Sequence, residues 1–447
     1  MSMSNIATRK RTERANSTTA PISRAALRRA ALIVATVTIC ILLISFHPFT
    51  PADVESDGAS AAEGDIINQL GFGALGMTVI AAFAMLGEPG KLVRLVHPAW
   101  LLMFFFLIAS VFVSSEPDMA VRGVIFTMIG LMCVAGVLVL PRDGDSYSSM
   151  LAITASLILT VSYLGVVFLP SLGTHGADVW EPQNSFLWRG LFSHKNVAGP
   201  VMAGFSFAGL YLWRRGWRWS GFLIGVSALI FVSQTGSKTT MALVPIAMLM
   251  VVVPGLMGLR FITVATMFFI EAAFATFTFG VVLFEPIYRF VKDMDIDPTF
   301  TGRTSIWKFA LERMPGHMWT GYGYDSFWRT PMVINTARPY YLDWDVRSIV
   351  HAHNGYFDLV IQMGMPGFIC GIGVIIVLPL IDYLRCKPQR ENRLLADYFL
   401  MVIFFCTLNA MMESFFFRRV DPIWLTTVFG IFGLRLTATS VIPKRSI

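Results

Sequence analysis

The sequence predicts an all-α polytopic membrane protein, on three observations. Of 447 residues, 55% are hydrophobic and only 14% charged, whereas soluble domains carry roughly 25% charge. Apolar runs of about 17 to 25 residues recur from Ala30 to the C-terminus, each long enough to cross a hydrocarbon core of ~30 Å as a helix. Basic residues fall unevenly between alternate loops, as the positive-inside rule requires. Together these exclude a water-soluble enzyme, and the net charge of +7 belongs to the two sides of a bilayer rather than to a nucleic-acid partner.

Apolar runs bounded by charge, Gly or Pro give about twelve transmembrane helices, starting near Ala30, Ile66, Pro98, Val121, Met150, Val197, Ser220, Thr240, Phe261, Asn354, Asp397 and Pro422. Arg9, Lys10, Arg11, Arg14, Arg24, Arg28 and Arg29 precede the first span, against Glu13 alone, and the following loop holds five acids and no Lys or Arg. The N-terminus is therefore expected in the cytoplasm. Continued alternately, the inner segments hold 20 Lys and Arg and the short outer loops 6, which places both termini inside. The organisation is then a basic tail (1–29), helices 1–9 (30–283), one large outer loop (284–353), and helices 10–12 with a short inner tail (354–447). The Ala59-Ser60-Ala61 triplet lies too far beyond the first run to be a signal cleavage site, so that run reads as an uncleaved anchor. None of the five cysteines falls in an outer loop, so no disulfide framework is expected.

The inner loops are short and carry no P-loop or dinucleotide fingerprint, which directs attention to the outer side. From Gly302 to Met314 the spacing of Ile306, Trp307, Ala310, Leu311 and Met314 predicts a helix stopped by Pro315-Gly316. Trp319, Tyr322, Tyr324, Phe327, Trp328, Tyr340, Tyr341 and Trp344 follow, an aromatic density foreign to a disordered linker. Near Asp325, Asp343, Asp345 and Arg347, such rings suit sugar faces or an interfacial aromatic belt.

His351-Ala352-His353-Asn354 and Asp358 stand at the mouth of the tenth span, a pattern for proton transfer, with a capping or packing role as the plainer alternative. No third metal ligand accompanies the His-x-His pair, so no metal is assigned. Two stretches on the same side, Trp188 to Asn196 and Ser233 to Thr239, set Arg189, His194, Lys195 and Lys238 beside small residues at helix ends, which suits phosphate oxygens or snorkelling cations. Glu271 sits within the ninth span, where structural pairing is expected, and Glu413 ends the eleventh.

The strings RGLFSHKNVAG, SQTGSKTTMAL, TGRTSIW, PGHMWTGYGYDSFW, HAHNGYFDLVIQMGMPG and NAMMESF come in the order that resembles the O-antigen ligase and Wzy-type polymerase superfamily, over about Arg189 to Ser414. The HKN and SKT variants look most similar to succinoglycan-type exopolysaccharide polymerases. Two departures are Gln362, where many relatives have an acid, and Lys238, which keeps a charge but lacks the arginine fork. The resemblance implies a metal-independent, inverting glycosyltransferase at the periplasmic face of the bacterial inner membrane. Its donor would be a glycan on undecaprenyl diphosphate and its acceptor a second lipid-linked unit, with no cofactor. A chain-length co-polymerase and a flippase would be its partners, and nucleic acid would not.

A base for the acceptor hydroxyl and cations for the leaving diphosphate are what this chemistry needs. His353 is the expected base, with His351 beside it and Arg303 completing the catalytic set. Arg189, His194, Lys195, Lys238, Arg347 and Glu413 are the expected diphosphate or sugar contacts, Glu413 and Asp358 as orienting groups, and Trp307, Trp319, Tyr322, Tyr324 and Trp328 the stacking rings. A ligase transferring glycan to lipid A core or protein is the alternative. A transporter ranks third, because it would place polar groups at mid-depth in the spans.

Overall fold

The computed structural model describes residues 24–50, 65–176, 184–295, 297–337 and 345–445. The basic residues Arg9 to Arg14, the acidic stretch with the Ala59 triplet, and Tyr340, Tyr341, Asp343 and Trp344 lie outside these residues. Each of the twelve apolar runs forms a helix: α1 (Arg24–Ile44), α2 (Ile66–Leu86), α3 (Ala99–Val113), α4 (Pro117–Val139), α5 (Gly144–Phe168), α6 (Lys195–Arg215), α7 (Arg218–Gln234), α8 (Lys238–Leu256), α9 (Arg260–Leu283), α10 (Gly355–Leu384), α11 (Arg390–Asn409) and α12 (Pro422–Thr439). Seven of them, α1, α2, α4, α5, α8, α9 and α10, are each long and apolar enough to span a bilayer. An eighth is gained if α3 is counted with the short Pro89–Leu95 helix, from which it is bent by 70°.

Side-chain burial separates the helices. In α11 nearly every residue is buried, including Glu391, Asn392 and Asp397, so this helix is the centre that the others wrap. Helices α6 and α7 approach backbone to backbone. A Cβ at Gly209 would lie 2.5 Å from the Gly225 nitrogen and one at Gly221 2.5 Å from the Trp213 nitrogen, the small-residue contact that holds helices together where lipid offers no hydrophobic drive. Glu271, buried in α9, receives the Thr407 hydroxyl of α11, so the pairing expected of a carboxyl in a span is present.

Helix α10 is broken at Gly364, whose φ of +65° favours glycine. The segment Met318–Gly323 fills the break: Tyr322 and Gly323 donate backbone N–H groups to the carbonyls of Ile361 (2.7 Å) and Gln362 (3.2 Å), and Met365 donates to Met318 (2.8 Å). At ~1.5 Å per residue, the 20 residues after the break cover the ~30 Å of a hydrocarbon core by themselves. The first turns of α10, from Gly355 to Met363, are not needed for that length. The expected helix after Gly302 is present as Arg303–Arg313 and packs a small core of Ile306, Trp307, Phe309 and Ala310 against Phe357 and Ile361 of α10.

Candidate functional site

Four chain segments distant in sequence meet at the end of the bundle where α6 and α10 begin. Asn354 caps α10, its Oδ1 accepting from the N–H groups of Tyr356 (3.0 Å) and Phe357 (3.2 Å). Its own N–H donates to Ser414 Oγ (2.9 Å) and its amide to the Met411 carbonyl (3.0 Å). Gly355 adds backbone bonds to Ala410 and Glu413. The turn after α11 is thereby fastened to the mouth of α10, and Glu413 is carried against the histidines.

Glu413 is the hub. Its Oε1 accepts from Arg303 Nη2 at 3.0 Å and from Asn196 Nδ2 at 3.2 Å, and its Oε2 lies 3.5 Å from His353 Nδ1. Arg303 also donates to the Met412 carbonyl. Burial pushes the Glu413 carboxyl up, but hydrogen bonding to His353 and the charges of Arg303 and His194 outweigh this and hold it below the usual carboxylate range. His353 has φ +50°, the left-handed region, and its N–H donates to His351 Nδ1 at 3.2 Å. Burial, with neighbouring His353, Arg418 and Arg303, holds His351 well below its ordinary pKa. His351 is therefore a neutral acceptor that fixes the backbone of His353, and the two rings are 4.2 Å apart. Asp358 points inward, accepting from Trp328 Nε1 (3.0 Å) and the Ala352 N–H (3.2 Å).

Arg303 is placed by its own local sequence. Asp297 accepts from the N–H groups of Thr299 (2.9 Å) and Thr301 (3.2 Å), and the left-handed residues Phe300, Thr301 and Gly302 turn the chain into the helix that Arg303 starts. At the start of α6, His194 Nδ1 accepts from the Asn196 N–H (3.1 Å) and His175 Nε2 from the Lys195 N–H (3.0 Å). The next two N–H groups, of Val197 and Ala198, donate to the His194 carbonyl. The donors of this helix end are thus consumed internally, and an anion here would be held by side chains rather than by the backbone. The α7–α8 turn joins the same end: a Cβ at Gly199 would meet Thr240 Oγ1 at 3.1 Å. Lys238 is exposed there, the first residue of α8, with no ion pair among the described residues.

Other expected site residues are placed elsewhere. Arg189 is 2% exposed and donates to the carbonyls of Thr174 (3.2 Å), Phe192 (2.9 Å) and Phe49 (3.1 Å), so its fork staples loops together. Arg347 pairs with its neighbour Asp345 at 2.6 Å on an exposed 3₁₀ turn. Among the stacking rings, Trp307 and Tyr324 correct the expectation: both are buried, Trp307 stacked on Phe357 at 5.5 Å and donating to the Ala352 carbonyl, Tyr324 donating to the Phe417 carbonyl. Tyr322 stacks on His317 and Trp328 on Phe309. Trp319, 77% exposed, sits beside the α10 break. Asn196, His175, Ser414 and Arg418 were not expected site residues; no spacing rule marks them, because each acts through a partner remote in sequence. Among the described residues, no group of three or more His, Cys, Asp or Glu could hold a metal ion.

Residues 195–372, roughly two fifths of the chain, match the protein-family model described as O-antigen ligase. The match contains Lys195, Asn196, Lys238, Arg303, His351 and His353, and supports the superfamily that the motifs resemble, a polymerase or ligase acting on lipid-linked glycans. Glu413 lies beyond it. No curated protein matches the chain.

Proposed function

We propose that this chain, with its O-antigen ligase segment, is a polysaccharide polymerase that joins oligosaccharide units carried on undecaprenyl diphosphate at the periplasmic face of the bacterial inner membrane. The observation that carries the reading is the single carboxylate of Glu413 gathering Arg303, His353 and Asn196. In an inverting transfer the acceptor hydroxyl loses a proton as it attacks the anomeric carbon, and the glycosyl–phosphate bond breaks on the opposite face. His353, steadied at Nδ1 by Glu413, receives that proton at Nε2. Arg303 has five N–H donors; those not spent on Glu413 and Met412, with Lys238 and Lys195, offset the charge on the leaving diphosphate. The chemistry draws on no metal and no nucleotide.

Transfer to lipid A core or protein by a ligase is favoured by one observation, the description of the matching family. The test is direct. Purified protein given undecaprenyl-diphosphate repeat units alone is expected to make dimers and longer chains, without nucleotide or ion gradient and with chelator present. Reaction only after lipid A core or protein is added would establish the ligase. Units left unlinked under both conditions would defeat the glycosyltransferase reading, and normal polymer from His353→Ala in cells would remove His353 from catalysis.

A further inference from the structure

Across the turn that carries Arg418 lies a polar cavity of about 120 Å³ that the chemistry above does not use. Asp65, Asn68 and Gln69 line it at the start of α2, Met119, Arg122 and Phe126 on α4, and Arg419 with Val420 after α11. Asp65 is the carboxylate on its wall, and it is already engaged: Oδ1 accepts from the N–H groups of Ile67 (2.9 Å) and Asn68 (3.3 Å), and Oδ2 meets His47. Arg419 pairs with Asp325 at 3.4 Å, with both side chains about a third or more exposed, a loose contact in water. Asn68 Oδ1 is buried without a hydrogen-bond partner among the described residues, an acceptor suited to a hydroxyl. Two guanidiniums beside amide groups select an anion on a hydroxyl-bearing body.

The turn is built to aim two adjacent cations in different directions. Phe417 (φ +55°) and Arg419 (φ +29°) are left-handed. Buried Tyr324 locks them, accepting the Arg419 N–H at 3.0 Å and donating to the Phe417 carbonyl at 2.7 Å. Gly123, next to Arg122, makes room for this ring, since a Cβ there would lie 2.3 Å from it. Arg418 donates to the Ser414 carbonyl at 3.2 Å, beside Glu413, while Arg419 lines the cavity one residue on, ~3.8 Å along the backbone.

We propose that this cavity is a second anion subsite, holding the acidic group of the acceptor while the donor diphosphate occupies the Arg303 cluster. The proposal rests on the two-substrate reading and names where its second substrate is gripped. The shared chemistry is one anionic group, whether the diphosphate of a lipid-linked acceptor or the carboxylate of an acidic sugar. Full-length protein in detergent is titrated by calorimetry with inorganic pyrophosphate and separately with glucuronic acid. In protein that already carries Arg303→Gln, which removes the donor site's hold on the probe, Arg419→Gln and Arg122→Gln are each expected to weaken one probe at least tenfold. Pyrophosphate as the affected probe assigns a lipid headgroup, and glucuronate an acidic sugar. Asp325→Asn, which releases Arg419, is expected to tighten the same probe severalfold, an effect that a structural role for Arg419 would not produce.

Should the Gln variants melt lower than the parent protein, Arg419→Lys and Asp325→Asn replace them, with weakening and tightening respectively expected. Neither probe depending on these arginines in the Arg303→Gln background, or no gain in Asp325→Asn, would overturn the proposal. Failure of the catalytic reading is seen separately, as normal polymer from Arg303→Ala, and leaves these titrations to be judged alone.

Discussion

The two ends of the bundle both bury charge, and they balance it differently. Where α6 ends and α11 begins, Arg215 donates to Asp145 (2.6 Å) and Glu391 (2.7 Å), Arg214 to Asp397 (2.9 Å), and Arg435 to Asp382 (3.0 Å). Tyr383 completes the set by donating to Asp397 at 3.1 Å. Three guanidiniums meet four carboxylates in short, directed contacts, and the backbone joins in: Asn392 donates to the carbonyls of Thr437 and Ser440. At the other end, Glu413 alone faces Arg303 and His353, with His194 near it and Arg418 near His351. A matched network is complete as it stands and serves to lock helices. Here one carboxylate is shared among Arg303, Asn196 and His353 at 3.0, 3.2 and 3.5 Å, contacts that an arriving anion can replace, so the difference marks the end that binds.

That contrast can be broken by experiment. The largest effect is expected at the matched end: Arg215→Ala leaves two carboxylates without their partner, which costs about 3–5 kcal/mol for a buried pair. The protein should fall in membrane abundance, read by immunoblot, and normal abundance would refute the locking role. At the other end Glu413→Gln is expected to cut polymer formation at least 100-fold at near-normal abundance, equivalent to about 2.7 kcal/mol of transition-state stabilisation. Comparable losses of abundance in both variants would erase the distinction.

Next in size is a pH effect. The depressed pKa of His351 means that the unfolded chain takes a proton near pH 6.5 that the folded chain refuses. Stability is therefore full above pH 6.5 and falls as the pH drops below it, by up to about 1.4 kcal/mol per pH unit. Glu413, depressed in the folded protein, adds a second loss only as the pH falls below about 4.5. Melting of purified protein between pH 5 and 8 should show the first limb, and His351→Asn, which keeps an acceptor near Nδ1 but does not titrate, should flatten it. An unchanged limb would clear His351. The smallest expected effect is Arg347→Ala, with abundance and polymer length both unchanged, because its partner is an exposed neighbour.

The sequence by itself determined the twelve apolar helices and the short helix at Arg303, because periodicity and run length are local. It also put His351, His353, Arg303, Lys195, Lys238 and Glu413 among the candidates, since charged residues at the ends of apolar runs are costly enough to stand out. Which of them meet was decided by tertiary structure alone. Arg189 and Lys195 look equivalent in one loop, yet the carbonyls of Thr174, Phe192 and Phe49 consume the first. Trp307 and Trp319 belong to one aromatic run, yet the first is sealed under α10 and the second exposed beside its break. Asn196 became a site residue only when the turn after α11 brought Glu413 to it, 217 residues along the chain. The physical reason is one of range: hydrophobic pattern and backbone capping act within a few turns, whereas a charge cluster exists only once helix packing has closed the distances over which charges act.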